Sequence, residues 1–381
     1  MIEPFEVRVD DAVLDDLQRR LAATRFPDQI ADTGWEYGVP VDYLRELVDH
    51  WRETYDWRTH EARLNELPHH RTTVDGQSIH FVHARSRHDD ALPLLLIHGW
   101  PGSIVEFLGV IPRLTDPEAH GGSASDAFHV VAPSLPGYGF SEVTRTRGWD
   151  SWRIARAFVE LMRRLDYEQY GAQGGDWGAQ VATRIGAIDP SHCRALHLNM
   201  PIASPPAEKV SLTDEDKADL AAMQQFQVEE AGYAHEQATK PQTLGVALND
   251  SPAGLLAWTL EKFRTWSDCD GRPENVFTRD QLLTNVMVYW VTDTSASAAR
   301  LYWEHQHPGV DGDGPDHVDV PTGVARYPKE VVRFPRSWVE RAYNVTRWVE
   351  MPRGGHFAAM EQPELFVDDV RSFFRTYREG M

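Results

Sequence analysis

The sequence predicts an α/β fold, a mostly parallel sheet with helices on both faces, interrupted once by a helical insertion. Three observations carry that prediction. Leu92–Ile97 is a short continuous apolar run, as a parallel strand buried on both faces should be, and 128–132 reads as a second buried strand. Strand and helix patterns alternate from about residue 71 to about residue 200, as right-handed crossover units require. The alternation then stops for about 115 residues of mostly helical pattern and resumes near residue 320.

A chain of 381 residues exceeds what one hydrophobic core usually serves, so a main domain with an added unit is expected. Residues 1–70 contain RFPD, WEYGVP and WRETYDWR, with an amphipathic stretch at 13–21. They read as helices and turns that wrap around something else. Residues 71–204 read as the first part of the core. An alternating strand at 79–83 is followed by the two buried runs, the second ending in Pro133, and by the Gly/Pro loop LPGYGFSE at 135–142. Ile154, Ala157, Phe158, Leu161 and Leu165 then fall on one helical stripe. A strand at 168–173, a helix at Trp177–Ile188 and a strand at 195–200 complete this part. The prolines at 201–206 open the insertion, 205–319, with helical patterns at 215–230 and 254–263. Residues 320–381 return to the core with strands at 320–325 and 345–349 and an amphipathic helix at 363–377.

Composition narrows the function classes. The chain is 41% hydrophobic and 25% charged, as folded globular proteins are. Its net charge of −20 opposes binding to nucleic acid or to an anionic membrane. Thirteen tryptophans suit an apolar cavity as well as a core. Of the 38 basic residues five are Lys and the rest Arg, which fits a GC-rich bacterial genome. Cys193 and Cys269 form neither a disulfide framework nor a metal-ligand cluster. MIEPFEVRVDD lacks the basic and apolar regions of a signal peptide, and Leu92–Ile97, the longest apolar run, is too short to span a bilayer. A cytoplasmic location is expected, and a homodimer is the base-rate oligomer.

Three loops carry the chemistry. Gly174-Gly175-Asp176-Trp177-Gly178 lies where a strand gives way to a helix, with a small residue two places on either side of Asp176. That is the pattern of a nucleophile elbow, a turn too sharp for larger flanking side chains. His98-Gly99-Trp100-Pro101-Gly102 directly follows the Leu92–Ile97 strand. Its position makes the backbone amides of Trp100 and Trp177 the expected oxyanion donors. Gly354-Gly355-His356-Phe357 follows the strand at 345–349, so His356 has the place of a general base in chain order. The acid that orients it should follow the preceding strand, where Glu330 lies; Glu350 is the rival.

An aspartate at the elbow restricts the reaction. With a reference pKa of about 3.9 it is ionised at neutral pH without a base. It can attack saturated carbon to form an alkyl ester, which disfavours esterase, lipase and peptidase chemistry and leaves epoxides or alkyl halides. Opening an epoxide creates an alkoxide that needs a proton, and a tyrosine can supply it. Tyr233 and Tyr302 in the insertion are the candidates, with Tyr289 a third. A halide instead needs N–H donors, which Trp177 could offer, so a haloalkane dehalogenase stays open. A non-catalytic binder of small apolar ligands is the reading from another class.

The chain resembles the microsomal-type epoxide hydrolases of the α/β-hydrolase fold, over almost its whole length. The resemblance rests on HGWPGS (98–103), LPGYGFSE (135–142), GGDWG (174–178) and GYAHEQATKPQTLGVALNDSPAG (232–254). It continues through LLTNVMVYW (282–290), PTGVARYPKE (321–330) and PRGGHFAAMEQPE (352–364). It implies a helical cap after the sixth strand and an N-terminal segment packed on the core. It also implies Asp176 as nucleophile, His356 as base, Glu330 as its orienting acid, and Tyr233 with Tyr302 as the epoxide-activating pair. The implied substrates are water and a small apolar or aromatic epoxide, with no metal or organic cofactor. Tyr327-Pro328 stands where the family usually has Phe-Pro. Membrane-bound members carry an N-terminal anchor that this sequence does not match. Secondary-metabolite tailoring in a GC-rich bacterium and general detoxification are both open as settings.

Overall fold

All six residues of Leu92–Ile97 (β4) are buried, because β4 lies between two parallel neighbours, Phe128–Pro133 (β5) and Tyr170–Gly174 (β6). The sheet continues past β6 through Cys193–Leu198 (β7), Val318–Arg326 (β8) and Tyr343–Glu350 (β9), all parallel. Past β5 it continues through Gln77–Ala84 (β3), His69–Val74 (β2) and Ile2–Pro4 (β1), all antiparallel. The computed structural model describes every residue except 207, 209, 308–311, 313 and 379–381, so part of the 205–319 insertion lies outside the description. Among the described residues the sheet has nine strands in the order β1-β2-β3-β5-β4-β6-β7-β8-β9.

Asp75 and Gly76 join β2 to β3 with φ of 51° and 76°, the backbone that a two-residue hairpin turn demands. Helices cover the sheet on both faces. Ser151–Arg164 (α5), capped by the Asp150 side chain, packs on Trp177–Ile188 (α6), which lies against β4, β6, β7 and β8. Ile111–Thr115 (α4) packs on β5 and on Pro363–Phe374 (α15), which reaches β7.

The N-terminal segment forms Asp11–Ala22 (α1), Val41–Glu53 (α2) and Trp57–Leu64 (α3), and also supplies the edge strand β1. This segment ties the insertion down. Tyr55 bonds Thr284 at 3.0 Å, His50 bonds Asp280 at 2.8 Å, Tyr43 donates to Glu274 at 2.9 Å and Arg20 reaches Asp250 at 2.7 Å.

Between β7 and β8 lie Asp214–Glu229 (α7), Gly232–Thr239 (α8), Pro241–Asp250 (α9), Pro252–Thr265 (α10), Arg279–Val291 (α11) and Ser295–Gln306 (α12). The insertion therefore follows the sixth strand counted from β2, and the short β1 adds one more ahead of it. The Thr213/Asp216 capping box starts α7, and its buried Asp219 pairs with Arg326 and, at 2.9 Å, with Arg333 of the core. Arg336–Ala342 (α13) precedes β9, and Ala358–Glu361 (α14) follows the His356 loop. The parallel strands end on one side, so their loops meet under the insertion.

Candidate active site

Asp176 occupies the turn from β6 to α6 with φ 51° and ψ −128°. Such a backbone costs a non-glycine residue about 1–3 kcal/mol and persists only where its surroundings enforce it. The neighbours explain how it is held. A Cβ on Gly174 would lie 2.3 Å from the Gly178 backbone, and one on Gly178 would lie 1.9 Å from the Ile97 carbonyl oxygen. The start of α6 is thus pressed against the end of β4, and the carboxylate stands at the helix N-terminus, where the macrodipole favours negative charge.

The loop after β4 holds one oxygen of that carboxylate. Trp100 N–H donates to Asp176 Oδ1 at 2.7 Å, and the Trp177 backbone amide also hydrogen-bonds the carboxylate. Gly99 makes the approach possible, since a Cβ there would lie 2.2 Å from Oδ1. The same loop is pinned from the insertion by α11. Asn285 Nδ2 donates to the Pro101 carbonyl at 2.7 Å, Ser103 Oγ bonds Asn285 Oδ1 at 2.7 Å, and the Tyr289 hydroxyl donates to the Gly102 carbonyl at 2.6 Å. Tyr289 is therefore engaged in fixing this loop, unlike Tyr233 and Tyr302. His98 is structural as well: its Nε2 accepts from Leu135 N–H at 3.1 Å, and burial pushes its pKa down to about 4.

The other oxygen faces the histidine. His356 Nε2 lies 3.7 Å from Asp176 Oδ2, while its Nδ1 lies 2.6 Å from Glu330 Oε1. Glu330 is anchored in turn by Val331 N–H at 2.8 Å, and Trp266 accepts the His356 backbone N–H at 2.9 Å. Glu350 does not enter the site: its side chain is 57% exposed and bonded to Arg326 and Trp348. Burial alone would lower the His356 pKa, but the charge and hydrogen bond of Glu330, with Asp176 and Glu106, lift it to about 9. Burial raises Asp176, whereas His356 and the amides of Trp177 and Trp100 pull it back toward ionisation.

Tyr233 and Tyr302 come from α8 and α12 to meet above the nucleophile. Their rings are 5.9 Å apart, Trp100 stacks on Tyr233 at 4.9 Å, and Trp177 meets Tyr302 edge-on at 4.9 Å. Burial, then the nearby charge of Asp176, pushes the Tyr233 hydroxyl up, and burial, Tyr233 and Asp176 do the same at Tyr302. Both hydroxyls therefore keep their protons at neutral pH. Asp176, Trp177, Tyr233 and Tyr302 open on a cavity of 330 Å³ walled by Met200, Ile202, Phe226, Val331 and Val332, with Gln180, His235 and His305 supplying polar groups. A second hollow of 20 Å³, lined by Asp176, His356, Glu106, Gln173 and Asn199, is large enough for about one water molecule.

Trp100, Trp177, Tyr233, Tyr302, His356 and, behind the histidine, Glu330 are thus brought together around the Asp176 carboxylate, whereas Glu350 is not and Tyr289 serves the loop. Sequence reasoning missed Trp266, edge-on to His356 at 5.0 Å, and Glu106. Neither carries a local signal, since a Trp among thirteen and a Glu in a short turn read as core and surface. Among the described residues, no group of three or more His, Cys, Asp or Glu is placed to hold a metal ion. Nor, among them, is any helix long and apolar enough to cross a membrane.

Comparison with known proteins places this geometry in context. Residues 2–107 match the epoxide hydrolase N terminus, and residues 93–377 match the alpha/beta hydrolase fold. A protein of Stigmatella aurantiaca (strain DW4/3-1), provisionally named an epoxide hydrolase, is 49% identical over 99% of this chain and 86% of its own length. Epoxide hydrolase 1 of Sus scrofa is 40% identical over 98% of this chain and 88% of its own. The crystal structure of juvenile hormone epoxide hydrolase from the silkworm Bombyx mori superposes with a TM-score of 0.91. It is 34% identical and covers 100% of this chain and 95% of that one.

Proposed function

The chain belongs to the epoxide hydrolases of the α/β-hydrolase fold, and we propose that it makes a vicinal diol through a covalent ester on Asp176. The observation that carries this reading is the division of labour between the two carboxylate oxygens. Oδ1 is held by the Trp100 amide at 2.7 Å, and Oδ2 is directed toward His356 at 3.7 Å.

Oδ2 attacks an epoxide carbon as the ring C–O bond breaks, and Tyr233 and Tyr302 hydrogen-bond the departing oxygen and protonate it. Oδ1 then becomes the ester carbonyl, already in contact with the Trp100 amide and at the carboxyl group that the Trp177 amide also bonds. His356, held by Glu330, takes a proton from water, and that water adds to the Asp176 carboxyl carbon. The negative charge develops on Oδ1, where the two amides stabilise it; as it collapses the ester C–O bond breaks, the diol oxygen takes the proton held by His356, and the Asp176 carboxyl returns its own proton to solvent.

Ester formation also prepares the base. An esterified Asp176 carries no charge, so one of the groups that raise the His356 pKa is lost when a free base is needed. The 20 Å³ hollow beside both residues supports entry of a single water from the sheet side. The apolar walls of the larger cavity favour an epoxide with a mainly apolar body.

One observation favours a second reading. The Trp177 indole is buried beside the nucleophile and hydrogen-bonds the Tyr302 hydroxyl; an indole N–H is the kind of donor a departing halide uses, so haloalkanes belong in the test panel. The proposal is tested by a single turnover in ¹⁸O-water with enzyme in excess. It expects diol carrying oxygen from the protein and label appearing in Asp176; label in the first-turnover diol would mean direct attack by water.

A further inference from the structure

Lys262, on α10, is the one buried lysine among those described, at 3% exposure. Its ammonium lies 4.8 Å from the centroid of the Tyr233 ring and 6.0 Å from that of Trp266. An ammonium is costly to bury unless it is compensated, and here the compensation is divided. Glu261, the preceding residue and one-third exposed, accepts a hydrogen bond from Nζ. The rest comes from aromatic faces, with the half-buried carboxylate of Glu230 also within electrostatic reach.

The ring that Lys262 faces is fixed on other sides too. Trp100 stacks on it, Trp266 tilts against it at 5.2 Å, and Tyr302 lies edge-on. The charged and titratable groups around Tyr233 are Asp176 and Glu330 from the core and Tyr302 from α12, with Lys262 from α10. Of these Lys262 brings the positive charge, and it acts through the π face rather than at the hydroxyl.

We propose that Lys262 is a positioning residue for Tyr233, a buried cation that strengthens its hydroxyl as the acid in epoxide opening. This rests on the ester mechanism proposed above. As the Asp176 Oδ2–carbon bond forms and the epoxide C–O bond breaks, the oxygen takes the Tyr233 proton and negative charge grows on the phenol. A phenolate ring attracts an ammonium more strongly than a phenol ring does. The contact therefore tightens in the transition state, the condition for acceleration rather than mere binding. Once the ester has formed the phenolate regains a proton from solvent, and ester hydrolysis then draws its protons from water and His356, so the lysine contributes to the first step and not to the second.

The test compares Lys262→Met and Lys262→Arg with the parent, using styrene oxide as probe. In a His356→Gln background, ester formation is followed by intact mass after rapid quenching. With His356 intact, ester decay is followed in a single turnover. The expected result is about a tenfold slower ester formation for Lys262→Met, in line with a desolvated cation–π contact. Decay should be unchanged, and Lys262→Arg should restore ester formation to within about twofold, since a guanidinium keeps the contact. Unchanged ester formation in Lys262→Met, or equal slowing of both steps without rescue by arginine, would reduce the lysine to packing and overturn the inference. A parent that forms no ester at all would overturn the mechanism beneath it, which is a distinguishable result.

Discussion

The Trp100 backbone amide and the Asp176 carboxylate meet at 2.7 Å, and the contact is allowed only because the intervening Gly99 has no side chain. In Gly99→Ala the added methyl would lie 2.2 Å from Oδ1, so the carboxylate must rotate or the loop retreat. Misplacing a reacting group by about 1 Å can cost a hundredfold in rate. Ester formation should fall by about that factor while the thermal midpoint stays close to the parent's, as rapid-quench mass analysis and calorimetry would record. A parent-like rate would mean that Oδ1 is not held by this loop.

The elbow glycines should separate by position. Gly178→Ala would put a methyl 1.9 Å from the Ile97 carbonyl, with backbone on both sides, and should destabilise the fold by about 2–4 kcal/mol in urea unfolding. In Gly175→Ala the nearest atom is Asn199 Nδ2 at 3.5 Å, so the change should cost under about 1 kcal/mol. Equal effects at the two positions would contradict the packing described for α6 against β4.

Activity should depend on pH through His356. A general base works only when deprotonated, so ester hydrolysis is lost as pH falls through its pKa in the ester. That value should lie below the value of about 9 in the free enzyme, because esterification removes the Asp176 charge. Glu330→Gln removes another raising charge and should move the limb lower still, while slowing hydrolysis about a hundredfold or more and ester formation much less. Single-turnover decay measured across pH 5–10 checks both; a limb that moves upward in Glu330→Gln would contradict the assignment.

Tyr289→Phe tests the bracket between the insertion and the catalytic loop. It removes the donor to the Gly102 carbonyl and leaves a buried acceptor unmatched, at a cost of about 1–3 kcal/mol. Stability should fall by that amount, with slower ester formation as the Trp100 loop loosens. Loss of ester formation at unchanged stability would instead give Tyr289 a direct role.

Much of this site was legible because its members sit in short motifs at strand ends. Gly174 to Gly178 reports a turn whose geometry forbids larger residues, and chain order then fixes where Glu330 and His356 must fall. The parallel sheet was legible from β4 and β5, which read as buried strands. What the sequence concealed depends on distant packing. The edge strand β1 is three residues long, too short for periodicity to register. Lys262 and Trp266 look like ordinary helix residues until α10 is folded against the His356 loop. From the residues alone Tyr289 stays a third candidate beside Tyr233 and Tyr302; the family resemblance separates them, and the physical reason, a hydroxyl already engaged by a backbone carbonyl, comes only with the packing.

A covalent ester on Asp176 should be visible in the intact mass of His356→Gln after exposure to epoxides and haloalkanes. Attack by Asp176 should leave an adduct equal in mass to a whole epoxide, mapping to the Asp176 peptide and stable for want of its base. An alkyl adduct without halogen, and none from any epoxide, would contradict it and point to halide displacement on the same residues.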